Sequence, residues 1–360
     1  MLKNAWYVAG WSEWLGDTPQ RITLLGEAVA LFRSADGAAA AISDICPHRF
    51  ASLGRGRIVE DTLQCPYHGL RFDRNGRCAH NPHGDGAIPP GAQVRAYPLV
   101  ERHHALWIWM GAPDAADPSA IPDYSLYDRS DIASSRDYLH VGASYELIID
   151  NLLDLSHAAF LHPFLSTDGM AARSRCKFEQ EDRVVHSYMW NDDEPITPLF
   201  SMVWDRPEPR GDMRSHIHWT APSTLFLDVG VTGVGAPVEA GPWLPSLHCL
   251  TPETEHSAHY FWMVGRNRGQ EDSTLGAAIH AGIKLAFETE DEPMIRQVAA
   301  NMAGRDFWSM RPAILAGDGA AVRARRMLAR LIRDEQQAAL SQPSPASTVD
   351  LSNIEEHSIP

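Results

Sequence analysis

Two short segments constrain this 360-residue chain more than any other: Cys46-Pro47-His48 and, after sixteen intervening residues, Cys65-Pro66-Tyr67-His68. Each supplies one thiol and one imidazole, so the four groups can share a centre only if the fold lays two separate loops side by side. Short β-type runs surround them, among them Ala28-Val29-Ala30-Leu31-Phe32, Leu70-Arg71-Phe72 and Ala105-Leu106-Trp107-Ile108-Trp109. Asp36-Gly37 and Asn75-Gly76 are hairpin dipeptides between such runs. Residues 1–112 therefore read as a small all-β module that presents both loops from hairpins.

The way the ligands divide points to the metal. Thiolates on one iron and imidazoles on the other make up the set of a Rieske-type [2Fe–2S] cluster, whereas Cys2His2 also suits structural zinc. Zinc fingers usually place both Cys in one pair and both His in the other. Here each loop carries one of each, so Cys46, His48, Cys65 and His68 are assigned to a [2Fe–2S] cluster. High-potential Rieske proteins join the two loops by an extra disulfide; the corresponding positions here are Ala51 and Tyr67, which places the expected potential toward the low end. Five cysteines, two of them in this motif, do not suggest a disulfide framework. Cys78, Cys176 and Cys249 read as buried thiols.

An electron carrier alone needs only the first third of this chain. Residues 111–124 hold Pro113, Pro118 and Pro122 among Asp and Ala, a composition suited to a connection, so a second domain is expected over 113–340. Helices are expected over 145–161, 274–301 and 320–337, with strand-like runs over 215–231 and 246–264, giving an α+β class with an antiparallel sheet and helices. From 341 to 360 the composition is too polar to offset ordering entropy, and this segment reads as a disordered tail.

The stretch from Asp150 to Pro163 carries Asp154, His157 and His162 among apolar residues. On a helix Asp154 and His157 lie about 60° apart and share a face. His162 would point away by about 140°, but Pro163 disfavours α conformation at the residue before it and lets the chain turn His162 back. Two His and a carboxylate with open positions form the facial triad of non-haem Fe(II) oxygenases. The third ligand comes from Glu288-Thr289-Glu290-Asp291-Glu292, and spacing does not choose among these carboxylates.

Together these segments resemble the Rieske non-haem iron oxygenases, alpha-subunit type, and within them the vanillate and dicamba O-demethylase group. The resemblance runs from Asn4-Ala5-Trp6-Tyr7-Val8-Ala9 through both cluster loops and Asp150–His157 to Leu250-Thr251-Pro252-Glu253, Arg266-Asn267 and Glu290-Asp291. It implies that His157, His162 and Asp291 bind the mononuclear iron, with Asn151 as an outer partner. It also implies that Asp154 hydrogen-bonds His157 within one subunit and His68 of the partner subunit, in a head-to-tail ring that is commonly a trimer. A separate reductase or ferredoxin would pass electrons from NAD(P)H, and a methoxylated aromatic acid would be O-demethylated with O2, releasing formaldehyde. The alternatives are hydroxylation of a ring or methyl group, or N-demethylation. A non-catalytic electron carrier is disfavoured by the second metal motif.

Candidate substrate contacts are Ile148, Phe160, His218, Trp219 and His248, with Leu147, His216 and Trp262 behind them. His248 matches a substrate-contacting histidine of the dicamba-type enzyme. The net charge of −15 weighs against a nucleic-acid partner. With neither an apolar run of membrane-spanning length nor a signal-peptide pattern, the expected location is the cytoplasm, away from membranes.

Overall fold

The computed structural model describes residues 1–341. Three small antiparallel sheets build the first part. Trp6–Trp11 pairs with Ala105–Trp109, which pairs in turn with Leu99–Arg102. Gln20–Leu24, Glu27–Arg33, Ala39–Ser43 and Ala96–Tyr97 form the second sheet, and Arg57–Val59, Thr62–Gln64, Arg71–Phe72 and Cys78–His80 the third. Asp36-Gly37 lies in the turn between Glu27–Arg33 and Ala39–Ser43. At Asn75-Gly76 only glycine fits: Gly76 has φ +76°, and a Cβ there would lie 2.1 Å from the Val94 carbonyl oxygen.

A seven-stranded antiparallel sheet forms the second part, in the order Ala133–Val141, Ala258–Arg266, Ser246–Pro252, Thr224–Thr232, Arg210–Thr220, Val184–Pro195, Arg175–Glu181. Alternation of side chains along its strands divides the interior in two. Leu250, Tyr260, Trp262 and Val264 face the helices, whereas Leu247, Cys249, Phe261 and Met263 face Trp6, Val8, Trp11 and Trp107 of the first sheet. Both faces of Ala258–Arg266 are therefore covered, and all nine of its residues are buried. Thr251 Oγ1 donates to the Val8 carbonyl at 2.7 Å across this junction.

The expected strand run 215–231 is a hairpin of two strands, and 246–264 is another. Ala133–Val141, Val184–Pro195 and Arg175–Glu181 were not expected. Arg175–Glu181 is an edge strand with no buried residue, and the buried face of Val184–Pro195 includes Ser187 and Asn191. Neither shows an apolar alternation for sequence reading to find.

Helical segments cover one face of the sheet. The helix expected over 145–161 ends at Leu153; Asp154 takes φ −116°, ψ 85°, and a 3-10 turn Leu155–His157 and a short helix Ala158–Leu161 follow. The expected 274–301 helix is three pieces, Ser273–Leu285, a π-helical turn Ala286–Asp291 and Glu292–Met302. Pro293 accounts for the irregularity: it lacks an N–H and crowds the carbonyl four residues back. The last helix, Gly319–Ser341, runs past its expected end and includes Ser341, so the boundary of the expected tail moves by one residue; the rest of that segment lies outside the described residues.

Leu331 and Ile332 of the last helix pack against the interiors of both parts. Arg325 fixes that helix to Tyr145–Leu153 by donating to Asp150 (2.8 Å) and Glu146 (3.0 Å), with only 9% of its side chain exposed. Removing it leaves two carboxylates facing each other with no cation. Arg325→Met is expected to lower unfolding free energy by about 3 kcal/mol, read as a reduced denaturant midpoint; a change within experimental error would show that the ion pair does not anchor the helix.

Candidate metal centres and cavity

The two cluster loops share one backbone design. Cys46 N donates to the Ala51 carbonyl and Phe50 N to the Cys46 carbonyl, both at 2.9 Å; Cys65 N donates to Leu70 at 2.8 Å and Gly69 N to Cys65 at 3.1 Å. In each loop the fourth residue after the Cys has positive φ, +61° at Phe50 and +75° at Gly69. The loops close on each other with the Cys46 and Cys65 thiols in contact and the His48 and His68 ring centres 4.4 Å apart. Buried Asp44 braces the first loop, accepting from Gly54 N (2.6 Å), Ser52 Oγ (3.0 Å) and Arg21 Nε (2.9 Å).

Both thiols are free and buried, and burial pushes the Cys46 thiol up to about 11. Two such thiols beside two imidazoles suit a group that binds thiolate, which is the chemistry of an iron–sulfur cluster. Of the remaining cysteines Cys249 is buried as expected, but Cys78 is only partly covered and Cys176 is exposed on the edge strand.

At the second centre, tautomers follow from the acceptors. His157 Nδ1 lies 2.6 Å from the Asp154 carbonyl oxygen, which can only accept, so Nδ1 carries the proton. His162 Nδ1 likewise faces Glu290 Oε2 at 2.7 Å. The unprotonated Nε2 atoms then face each other at 3.2 Å, with Asp291 Oδ1 3.4 Å from one and 3.2 Å from the other. The three donors lie within 4.8 Å of one another. Burial pushes the Asp291 carboxyl up, but imidazoles protonated at Nε2 would outweigh it and hold the group well below the usual range; a metal cation would take the place of those protons. Asn151 Nδ2 donates to Asp291 Oδ1 at 2.9 Å. Two lone pairs and an anion converging on one point repel unless a cation lies between them, so this donor set fits a metal ion.

The break in the helix makes this possible. Asp154 leaves helical conformation, its Oδ1 accepts from Ser156 N at 3.0 Å, and its carbonyl turns to His157. The expected contact between the Asp154 side chain and His157 is thus made by the backbone carbonyl instead, because the carboxylate caps the 3-10 turn. His162 ends Ala158–Leu161 at φ −118°, ψ 84°, turned back as the proline after it requires. The π-helical turn brings Glu290 and Asp291 to the same histidines, one behind His162 and the other beside the two Nε2 atoms.

A cavity of about 120 Å³ opens beside these groups. An engineered cavity of about 150 Å³ holds a benzene ring, so the enclosed space is close to that of a single ring. Alternation selects its walls: Ser246 and His248, Met213 and Ser215, Leu227 and Val229 point into it from three adjacent strands. His248 is 1% exposed, and burial pushes its imidazole down to about 3, so it is neutral. Its Nδ1 pairs with Tyr260 Oη at 2.7 Å, and its Nε2 has no partner.

The other expected contacts do not reach the cavity. His216 and His218 have the opposite parity to Met213 and Ser215 and lie on the far face, where His218 Nδ1 is 2.6 Å from His186 Nδ1. Trp219 has the inward parity but is packed in the core, and Ile148 and Leu147 are buried in the helix interface. Trp262 packs against His280 and Phe287. Phe160 is 86% exposed. Met213, Ser215, Leu227, Val229 and Phe287 were missed, although the alternation of apolar residues with Arg214, His216 and His218 identifies the inward face of that strand.

Comparison with known proteins accords with both centres. Residues 5–98 match the Rieske [2Fe-2S] domain, and residues 141–334, more than half of the chain, match the vanillate O-demethylase oxygenase C-terminal domain. The chain belongs to the Rieske non-haem iron oxygenases. Among its relatives in this family, the oxygenase component of chloroacetanilide N-alkylformylase from Rhizorhabdus wittichii is 39% identical over 93% of this chain and 96% of that one. The oxygenase component of dicamba O-demethylase from Stenotrophomonas maltophilia is 38% identical over 92% and 97%. The crystal structure of dicamba monooxygenase bound to 3,6-dichlorosalicylic acid superposes with TM-score 0.90 at 37% identity, over 93% of this chain and 99% of that one. As a family member the chain is a monooxygenase component that uses a [2Fe–2S] cluster and a mononuclear iron. No helix among the described residues is long and apolar enough to cross a membrane.

Glu290 holds the His162 tautomer from outside the candidate donor set. Glu290→Gln is expected to weaken iron binding at the second centre by about 10- to 100-fold, measured by iron titration against a chelator, while the visible spectrum of the cluster stays unchanged. Wild-type iron affinity would show that His162 is oriented by something else.

Proposed function

We propose that this oxygenase component removes an alkyl group from a substituted arene, with O-demethylation as the principal reaction. The observation that carries the reading is the convergence of His157, His162 and Asp291 at the wall of a ring-sized, largely apolar cavity. When bound, the iron activates O2 and the cluster supplies electrons one at a time. The balanced reaction takes the aryl methyl ether, O2, two electrons and two protons to a phenol, formaldehyde and water. The electrons come from NAD(P)H through a separate reductase or ferredoxin.

The chain's own residues supply the rest. Leu227, Val229 and Phe287 exclude water from around the ring. The unpartnered Nε2 of His248 is free to fix the substrate's orientation by one hydrogen bond. His157, His162 and Asp291 would hold the iron at the cavity wall, and Asn151 and Glu290 would keep these side chains in place. N-dealkylation is the second reading, favoured by the 39% identity to a chloroacetanilide N-alkylformylase component; it differs in releasing an amide in place of a phenol.

The active assembly is a head-to-tail trimer in the cytoplasm in which Asp154 accepts a hydrogen bond from His68 of the partner subunit. In support, His157 borders both the cavity and a second, outer groove, and Asp154 lines that groove with Met294, Phe307 and Leu315. His68 is itself partly exposed at the tip of the cluster module.

With a reductase, NADH and a methoxyarene, formaldehyde and O2 uptake should appear in equal amounts; oxidation without formaldehyde would overturn dealkylation. Asp154→Ala should keep the cluster's visible spectrum and lower turnover by about 100-fold or more. Near-normal turnover, or an active monomer by light scattering, would overturn the relay between subunits.

A further inference from the structure

We propose that the cavity is specific for an uncharged aromatic substrate, an aryl ether or N-alkyl amide that presents one hydrogen-bond acceptor to His248 Nε2, and that it discriminates against the carboxylate implied by the resemblance. The inference rests on the dealkylation reading of the same site and narrows its substrate class.

Three observations lead here. First, no lysine or arginine lines the cavity among the described residues. Cations of the adjoining segments are engaged elsewhere: Arg173 with Glu194, Arg214 with Asp228 on the far face of the sheet, and Lys284 with Asp137. Second, the one carboxylate in the wall, Asp291, converges with His157 and His162 on the candidate metal site, so its charge is committed there and it offers a substrate no hydrogen-bond donor.

Third, the polar groups of the wall are neutral and nearly all engaged. Ser246 Oγ donates to the Leu244 carbonyl and Ser174 Oγ to that of Met170. Ser215 adds a hydroxyl, not a charge. Tyr260 and His248 form a buried pair in which the phenol has no other hydrogen-bond partner; donation from its O–H to Nδ1 satisfies the phenol and leaves the proton of His248 on Nε2. That N–H is buried with no acceptor, a state that costs stability until a substrate supplies one.

One neutral donor satisfies a carbonyl or ether oxygen. It does not replace the hydration of an ionised carboxylate, which on burial needs a paired cation or several donors. The difference between the two ligand types therefore appears as a preference for the neutral member of any matched pair.

Equilibrium dialysis of the iron-loaded holoenzyme with 2-, 3- and 4-methoxybenzamide against the corresponding methoxybenzoates, at about pH 7.5 where the acids are ionised, tests this. Each amide is expected to bind about tenfold more tightly than its acid, or better. His248→Phe should weaken binding of each amide more than that of methoxytoluene, which lacks the amide carbonyl. Leu227→Arg, which places a cation in the wall, should shift preference toward the benzoate. Benzoates binding as tightly as their amides, or more tightly, would overturn the proposal.

A parallel formaldehyde assay separates this result from the reading beneath it. Tighter amide binding with no formaldehyde from any ligand upholds the charge preference and rejects dealkylation. Formaldehyde from the benzoates, at a kcat/KM matching the amides, keeps dealkylation and overturns the charge preference.

Discussion

Two imidazole N–H groups set the character of this molecule. His157 and His162 each direct Nδ1 outward, to the Asp154 carbonyl at 2.6 Å and to Glu290 at 2.7 Å, and this leaves two lone pairs 3.2 Å apart beside Asp291. Without a cation that geometry is repulsive; with one it is a binding site. The surrounding irregularities serve it. The helix breaks at Asp154, the chain turns back at His162 before Pro163, and a π-helical turn ahead of Pro293 delivers two acidic residues to one pair of histidines. Regular helices through both segments would have separated these groups.

The first part of the chain depends on the second through a shared sheet. The strand Ala258–Arg266 is buried on both faces because Trp11 and its neighbours cover one side and the helices the other. The same alternation that sends Phe261 and Met263 toward the tryptophans sends His248, on the paired strand, toward the cavity. Positioning of the substrate wall and cohesion of the two parts are thus consequences of one register. A slip of one residue would exchange the cavity wall for the tryptophan-facing side chains.

Much of this was legible in the sequence, for reasons that differ by site. The cluster loops are local, each complete within a few residues and ended by a position of positive φ, so spacing alone marks them. His157 and His162 were legible because Pro163 announces the turn between them. The choice of Asp291 over Glu288, Glu290 and Glu292 was not, since a π-helical turn shifts the register that helical spacing assumes; only the resemblance singled it out. The Asp154 contact was misplaced from side chain to carbonyl, because an Asp at a helix break caps the next turn. Pocket residues were the least legible: His216 and His218 share a face as expected, but the face is the outer one, which the alternating apolar Met213, Ile217 and Trp219 of the other face mark from within the same strand.

One chain holds two distinct iron centres, one of which is expected to depend on His162. Iron and acid-labile sulfide counts on anaerobically purified protein test it most directly. The wild-type chain is expected to carry about three irons and two sulfides, with His162→Ala falling to about two irons at unchanged sulfide and an unchanged visible spectrum. Equal iron in the two proteins, or sulfide lost together with iron, would contradict it.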